Sequence, residues 1–265
     1  MQWELTTPKD FDKIVKEEGL CLLPIGCLER HGDHLPFGTD ALVAHKICVE
    51  AAKLEPCMVF PPHYFGQVHE IRHFSGSVAF PSEFTLELLR HTCDEIARNG
   101  FKKILIVNGH GGNMSMLTYF LFSNMDRKVD YTLYSVMYDD GLNQEEREEI
   151  SKIIKVEGGH ADQWETSLVM SVAPESVKME DHTYEEPIKW LGRDPLSRVS
   201  TPFHWYASYP EHVTGRPSLA TKEAGDKLMD FYIKRLAKDI KEIKEDKVIP
   251  GLWKEFMEKA EKVGK

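Results

Sequence analysis

Three short stretches concentrate the residue types that bind metals and move protons. The first is Gly26-Cys27-Leu28-Glu29-Arg30-His31-Gly32-Asp33-His34-Leu35-Pro36-Phe37-Gly38-Thr39-Asp40, which directly follows an apolar run. Glu29 and His31 stand two apart, so in extended backbone they point the same way. Asp40 opens the next helical pattern. A polar turn with solvated charges does not explain acids and histidines compressed between a buried strand and a helix. The second stretch, Asn108-Gly109-His110-Gly111-Gly112-Asn113, sets His110 at the end of another apolar run. Its glycines let backbone approach a ligand closely. It lacks both G-x-G-x-x-G and the Walker lysine, which argues against a phosphate cradle. The third, Gly158-Gly159-His160-Ala161-Asp162-Gln163-Trp164-Glu165-Thr166-Ser167, leads into a helix. Asp162 reads as the cap of that helix, and Glu165 as a carboxylate near its positive end.

A fourth stretch is a decoy. His69-Glu70-Ile71-Arg72-His73 matches H-E-x-x-H, the zinc-protease pattern, which needs a helix to put both histidines on one face. Gly66 before it and Phe74-Ser75-Gly76-Ser77-Val78 after it read as loop and strand. A place near the substrate for His69, Glu70 or His73 is compatible with that setting.

The elements that position these residues follow from apolar spacing. Strands are expected at Leu20–Ile25, Cys57–Phe60, Lys103–Asn108 and Tyr131–Met137. The third has no polar alternation until its last residue, as in a parallel sheet covered on both faces. Helices are expected from Asp40 to Leu54 (Thr39 or Asp40 as N-cap), from Ser82 as cap to Asn99 with Gly100 as stop, and from Met114 to Met125. More follow at Gln144–Lys155, Asp162–Val172, Thr221–Lys244 and Leu252–Val263. This βαβαβ rhythm implies an α/β fold: one domain over residues 1–265, with a central, mostly parallel sheet and helices on both faces. Ligands in such sheets bind beyond the carboxyl ends of the strands, where the first two stretches lie. Residues 180–216 form a long segment rich in Pro, His and aromatics. Its His182, Trp190, His204, Trp205 and Tyr206 either close a substrate pocket or pack as ordinary loop residues.

Composition narrows the class. The 265 residues are 42% hydrophobic, enough for a substantial core, and carry a formal charge of −10. No dense basic stripe appears, so nucleic acid and anionic membrane are excluded as partners, leaving a small molecule. The N-terminus has no signal-type apolar region, and Leu20–Gly26 is too short to span a bilayer. Five cysteines without paired spacing point to reduced thiols and a cytoplasmic protein.

The three stretches resemble the creatininase family of metal-dependent amidohydrolases, whose segments read G-x-x-E-x-H-G-x-H-L-P-x-x-T-D, N-G-H-x-x-N and G-H-A-x-x-x-E-T-S. Gly215-Arg216-Pro217-Ser218-Leu219-Ala220-Thr221 is similar to the family's entry to its last large helix. The resemblance implies a homo-oligomer, often a hexamer, and a binuclear metal centre. By position, Glu29 and His110 would bind one metal, His31 the other, and Asp40 would bridge them; His160 would be the acid–base residue. Creatininase itself has a metal-binding glutamate where this chain has Gly112, and Glu165 is the expected replacement. Val68–Ser77 also departs from the family's S-x-E-H-x-x-F-P-G-T, which argues against creatinine as substrate.

The resemblance thus implies a hydrolase of a small cyclic amide or a formamide. The alternative is a ring-opening hydrolase of a cyclic diketone such as diketo-inositol (3-dehydro-scyllo-inosose), and a more remote one is a binding protein without turnover. Mixed imidazole and carboxylate donors suit Zn, Mn or Fe better than Mg or Ca. Two such ions could activate a shared water for attack on a carbonyl carbon. His160 would then protonate the leaving atom, with His34 and Asp33 orienting ligands. Trp164 is a further residue expected near substrate.

Overall fold

The computed structural model describes residues 1–155, 159–183 and 199–263. Gly158 and Trp190, named above, lie outside the described residues. In chain order the main elements are α1 (Pro8–Glu18), β1 (Leu20–Ile25), α2 (Thr39–Leu54), β2 (Met58–Val59), α3 (Ser82–Arg98), β3 (Lys103–Asn108) and α4 (Asn113–Ser123). They continue with β4 (Thr132–Met137), α5 (Gln144–Ile153), α6 (Gln163–Val172), α7 (His204–Ser208), α8 (Lys222–Glu245) and α9 (Val248–Ala260).

Every residue of β1 is buried, which a strand achieves only inside a sheet covered on both faces. The sheet order is β2-β1-β3-β4 and all pairings are parallel. Alternate residues of the central strands point to opposite faces. Leu20, Leu22, Leu105 and Val107 pack with residues of α2, α5, α6 and α8. Cys21, Leu23, Ile25, Ile104 and Ile106 pack with residues of α1, α3 and α4. This is the two-faced α/β architecture expected from the sequence. The register matters for the site. Leu20 pairs with Lys103 and Ile25 with Asn108, so β1 and β3 end level and the turns at Gly26 and Gly109 leave the same edge.

Several boundaries differ from expectation, each for a local reason. β2 is only Met58–Val59; Pro61 and Pro62 have no N–H to extend its ladder. α2 begins at Thr39 with Gly38 at the N-cap position, so Asp40 lies in the first turn and does not cap it. Pro81, not Ser82, precedes α3, with no side-chain cap. α9 starts at Val248 because the Asp246 carboxylate accepts from the Val248 and Ile249 N–H groups at 2.7 and 3.3 Å. Asp162 does cap α6, accepting from the Trp164 and Glu165 N–H groups. All five cysteines are buried and none forms a disulfide. No described helix is long and apolar enough to cross a membrane.

The helix carrying Glu165 is held by a close backbone approach. A Cβ at Gly225 of α8 would land on the Ser167 carbonyl of α6. Gly225→Ala is therefore expected to push α8 off α6 and lower stability by about 1–3 kcal/mol, read as a lower urea midpoint. An unchanged midpoint would show that the helices pack less tightly than this.

Candidate metal centre

Two glycines bring the start of α2 into the crevice between the ends of β1 and β3. A Cβ at Gly26 would land on the Ala41 backbone, and one at Gly109 would lie 2.5 Å from the Asp40 carbonyl oxygen. These glycines thus serve the chain's own packing. Asp40 is presented in the crevice by the first turn of α2, where the helix dipole favours a carboxylate. The loop after β1 folds back through a Glu29 N–H bond to the Phe37 carbonyl at 3.1 Å. Glu29 and His31 are fully buried by this, and Asp40 is 3% exposed.

The structure brings Glu29, His31, Asp40, His110, His160 and Glu165 into one cluster. Asp40 sits between two histidines: its Oδ1 is 2.9 Å from His31 Nε2, and its Oδ2 is 3.0 Å from His110 Nδ1. Glu29 Oε1 lies 2.9 Å from His110 Nδ1 and 3.7 Å from His31 Nε2. Glu165 Oε2 lies 3.6 Å from His31 Nε2 and 3.9 Å from His160 Nδ1. It accepts from the Ala161 N–H at 2.6 Å, with Ala161 in the left-handed region at φ 51°.

The histidine tautomers follow from their other nitrogens. His31 Nδ1 faces the Glu29 carbonyl at 3.3 Å, His110 Nε2 the Gln67 carbonyl at 2.8 Å, and His160 Nε2 the Arg30 carbonyl at 3.0 Å. Carbonyls only accept, so these nitrogens carry protons. In a neutral ring the opposite nitrogen then aims a lone pair at carboxylate oxygens. That arrangement is repulsive unless a proton or a cation sits between. Glu29 Oε1 is moreover buried with no hydrogen-bond partner. Carbonyl-anchored histidines facing carboxylates are a metal-ligand arrangement, and the donors fit two ions. Glu29 Oε1, Asp40 Oδ2 and His110 Nδ1 could hold one; His31 Nε2, Asp40 Oδ1 and Glu165 Oε2 could hold the other. The atoms offered by Cys27, Glu29, Asp40 and His110 lie within 4.8 Å of one another, as do those of His31, His160 and Glu165.

Gly112 cannot contribute as a glutamate would in this backbone, because a Cβ there would land on His110 Nε2 and displace it from the Gln67 carbonyl. Cys27, read in the sequence only as a reduced thiol, donates to Asp40 Oδ2 at 3.2 Å. His212 was not singled out by spacing. It arrives from a distant segment and donates from Nε2 to Glu29 Oε2 at 2.9 Å.

The secondary candidates take other positions. His34 bonds to Thr166 at 2.9 Å, tying the first loop to the helix of Glu165. Asp33 pairs with Arg30 at 2.8 Å. Glu70 accepts from Gln67 at 2.9 Å, and exposed His73 packs edge-on to Tyr206, with centroids 4.9 Å apart. His69 turns to the Phe80 carbonyl at 2.9 Å, and its segment is a single 3-10 turn, so H-E-x-x-H forms no helical metal pair. Trp164 stacks on Tyr232 with centroids 6.0 Å apart, and with Glu165 it lines a cavity of about 670 Å³.

Electrostatics bind the cluster together. Burial pulls the His31 ring down, but the Asp40, Glu165 and Glu29 carboxylates outweigh it and raise its pKa to about 10. His110 is also raised against burial, by Cys27 and Glu29 with Asp40. Glu29 is held well below the usual carboxylate range despite burial, by His110 above all and by the hydrogen bond from His212. Burial lifts Glu165 to about 8, with Asp40 and Asp162 adding and His31 opposing. Burial, His212 and His31 push His160 well below the usual histidine range.

These shifts give a signed prediction for metal-free protein. A histidine raised from 6.5 to about 10 by folding stabilises fully below pH 6.5 and ceases to do so as pH rises through about 10. Glu165, raised from 4.5 to about 8, adds a loss over pH 4.5 to 8. The chelator-treated protein should therefore lose thermal stability steadily from pH 6 to pH 10, while metal-loaded protein, its counter-charge no longer titratable, should lose far less. Parallel curves for the two forms would contradict this charge balance.

Comparison with known proteins places the chain. The family pattern described as creatininase, creatinine amidohydrolase, matches residues 4–240. The 3-dehydro-scyllo-inosose hydrolase of Thermotoga maritima is 25% identical over 272 residues, covering 91% of this chain and 83% of that protein. The creatinine amidohydrolase of Pseudomonas putida is 22% identical, covering 90% of this chain and 95% of that protein. A solved structure named creatininase Mn superposes with a TM-score of 0.77 at 18% identity, over 92% of this chain and 99% of that one. With a match spanning most of its length and this fold, the chain belongs to the creatininase family.

Proposed function

We propose that this protein is a divalent-metal-dependent hydrolase that opens a bond beside a carbonyl in a small substrate, with a cyclic amide or a formamide as the first reading. One observation carries it: Asp40 offers one oxygen to the lone-pair side of His31 and the other to that of His110, at 2.9 and 3.0 Å. With one oxygen toward each histidine, Asp40 would be the carboxylate shared between two bound ions. Zn, Mn or Fe suits such a donor set.

Bound there, a metal pair supplies an activated water and a positive charge for the developing oxyanion. The rest is done by the chain. His160 is held by the Arg30 carbonyl at Nε2 (3.0 Å), so Nδ1 is the nitrogen free to exchange a proton. Burial, with His212 and His31, favours the neutral ring, which can accept a proton at Nδ1 and return it to the leaving atom. The Ala161 N–H fixes Glu165, and Asp162 fixes the helix that carries it. The cavity of about 670 Å³ beside Glu165 is lined by Asp139, Leu142, Arg147, Ile150 and Trp164, a size and polarity suited to a small molecule.

A second reading is carbon–carbon cleavage in a cyclic diketone. It is favoured by the similarity to the Thermotoga maritima inosose hydrolase over 91% of the chain. Both readings use the same water activation and the same proton transfer by His160, and differ in whether nitrogen or carbon leaves.

A panel of cyclic amides, formamides and cyclic diketones, assayed with Zn, Mn and Fe(II), tests the proposal. Hydrolysis of one class is expected to vanish on chelation and return with about two metal equivalents per chain. His160→Ala should lower kcat by about 100-fold or more while metal content stays at the wild-type level. Turnover that survives chelation would overturn the metal role, and an unchanged kcat would remove His160 from the reaction.

A further inference from the structure

Glu29 reaches the cluster with only one of its two oxygens, and the reason lies in a segment far away in sequence. Trp205 Nε1 lies 2.7 Å from His212 Nδ1. An indole N–H only donates, so Nδ1 must accept and the His212 proton must sit on Nε2. That nitrogen is 2.9 Å from Glu29 Oε2 and donates to it. Glu29 Oε1 is left buried, without a hydrogen-bond partner, and facing His110 Nδ1 at 2.9 Å.

The backbone gives an independent sign that the ring is there for a purpose. His212 has φ 56°, in the left-handed region, and its ring is 2% exposed. Glycine adopts that conformation freely, while other residues do so uncommonly. A strained backbone holding a buried polar ring against a carboxylate is an arrangement found at functional sites.

We propose that His212 is a positioning residue that fixes Glu29 as a one-oxygen metal ligand, with the Trp205 indole setting the His212 tautomer. This rests on the metal-centre reading above. With Oε2 occupied by the His212 N–H, Glu29 would offer an ion Oε1 alone, and rotating to chelate side-on would cost that hydrogen bond. Holding a ligand's second oxygen in this way tunes both affinity and geometry at the metal. The Trp205–His212–Glu29 relay also ties the centre to α7, the short helix that packs against His73 through Tyr206.

Three variants of the full chain test this. Metal dissociation constants are measured by chelator competition, and the visible spectrum is recorded after cobalt(II) loading. His212→Gly removes the ring at a position whose backbone suits glycine, and should weaken binding by about 10–100-fold. His212→Gln keeps a donor at the matching reach and should recover most of that loss. Trp205→Phe keeps a ring but not the N–H, and should weaken binding by a smaller factor. The cobalt spectrum should shift in His212→Gly and in Trp205→Phe, and stay close to wild type in His212→Gln. A merely structural role would not move the spectrum or be rescued by Gln. Should His212→Gly fail to fold, Trp205→Phe and His212→Gln decide the matter by the same measurements. Wild-type affinity and spectrum in whichever of His212→Gly and Trp205→Phe fold overturn the proposal alone. A wild-type protein that takes up no metal overturns the metal-centre reading and the proposal with it.

Discussion

Buried carboxylates must have positive charge between them, and the organisation of this molecule's working edge follows from that requirement. Glu29 and Asp40 are almost wholly removed from water, and Glu165 approaches the same point. An isolated carboxylate in such a place would take up a proton, because burial penalises the charge. Here Glu29 and Asp40 are instead held ionised by the histidines around them. His31, His110 and His160 are each anchored by a backbone carbonyl, so their inward nitrogens have fixed directions. The cluster is therefore built to hold mobile positive charge, whether protons or metal ions.

The fold supplies this cluster from separate elements by simple means. Level ends on β1 and β3 put two turns side by side. Glycines at 26 and 109 admit the first turn of α2 between them, which delivers Asp40. α6 delivers Glu165 from a capped N-terminus, and close packing of α8 at Gly225 holds α6 in place. The segment after residue 199 closes the set through Trp205 and His212. His160, the proposed proton carrier, is thus placed by the same carbonyl anchoring that places the proposed metal donors His31 and His110. What distinguishes His160 is its longer distance from the carboxylates, 3.9 Å to both Glu29 and Glu165.

Much of this was legible in the chain because the principal donors lie in contiguous stretches next to strongly patterned strands. An apolar run such as Leu20–Ile25, too short for a typical helix, reads as a buried strand, which puts the acids and histidines just beyond it at the sheet's carboxyl edge. The proposed donors Glu29, His31, Asp40, His110 and Glu165, and the proton carrier His160, come from such stretches. His212 was not legible. Its part depends on a backbone angle and on meeting Glu29 across 183 residues, neither of which leaves a periodic trace. The glycines of the second stretch were read as making room for a ligand. Gly109 and Gly112 are instead required by the Asp40 carbonyl and the His110 ring. Asp40 itself reads equally well as a cap from sequence; only the position of Gly38 at the cap frees its carboxylate for the cluster.

The most direct measurement is anomalous diffraction from crystals of the protein loaded with Mn or Zn, with data collected at the metal edge. The account predicts two strong peaks, one on each side of the Asp40 carboxylate. One should touch Glu29 Oε1 and His110 Nδ1, and the other His31 Nε2 and Glu165 Oε2. A single peak, peaks that leave Asp40 touching only one ion, or peaks held by other residues would contradict it.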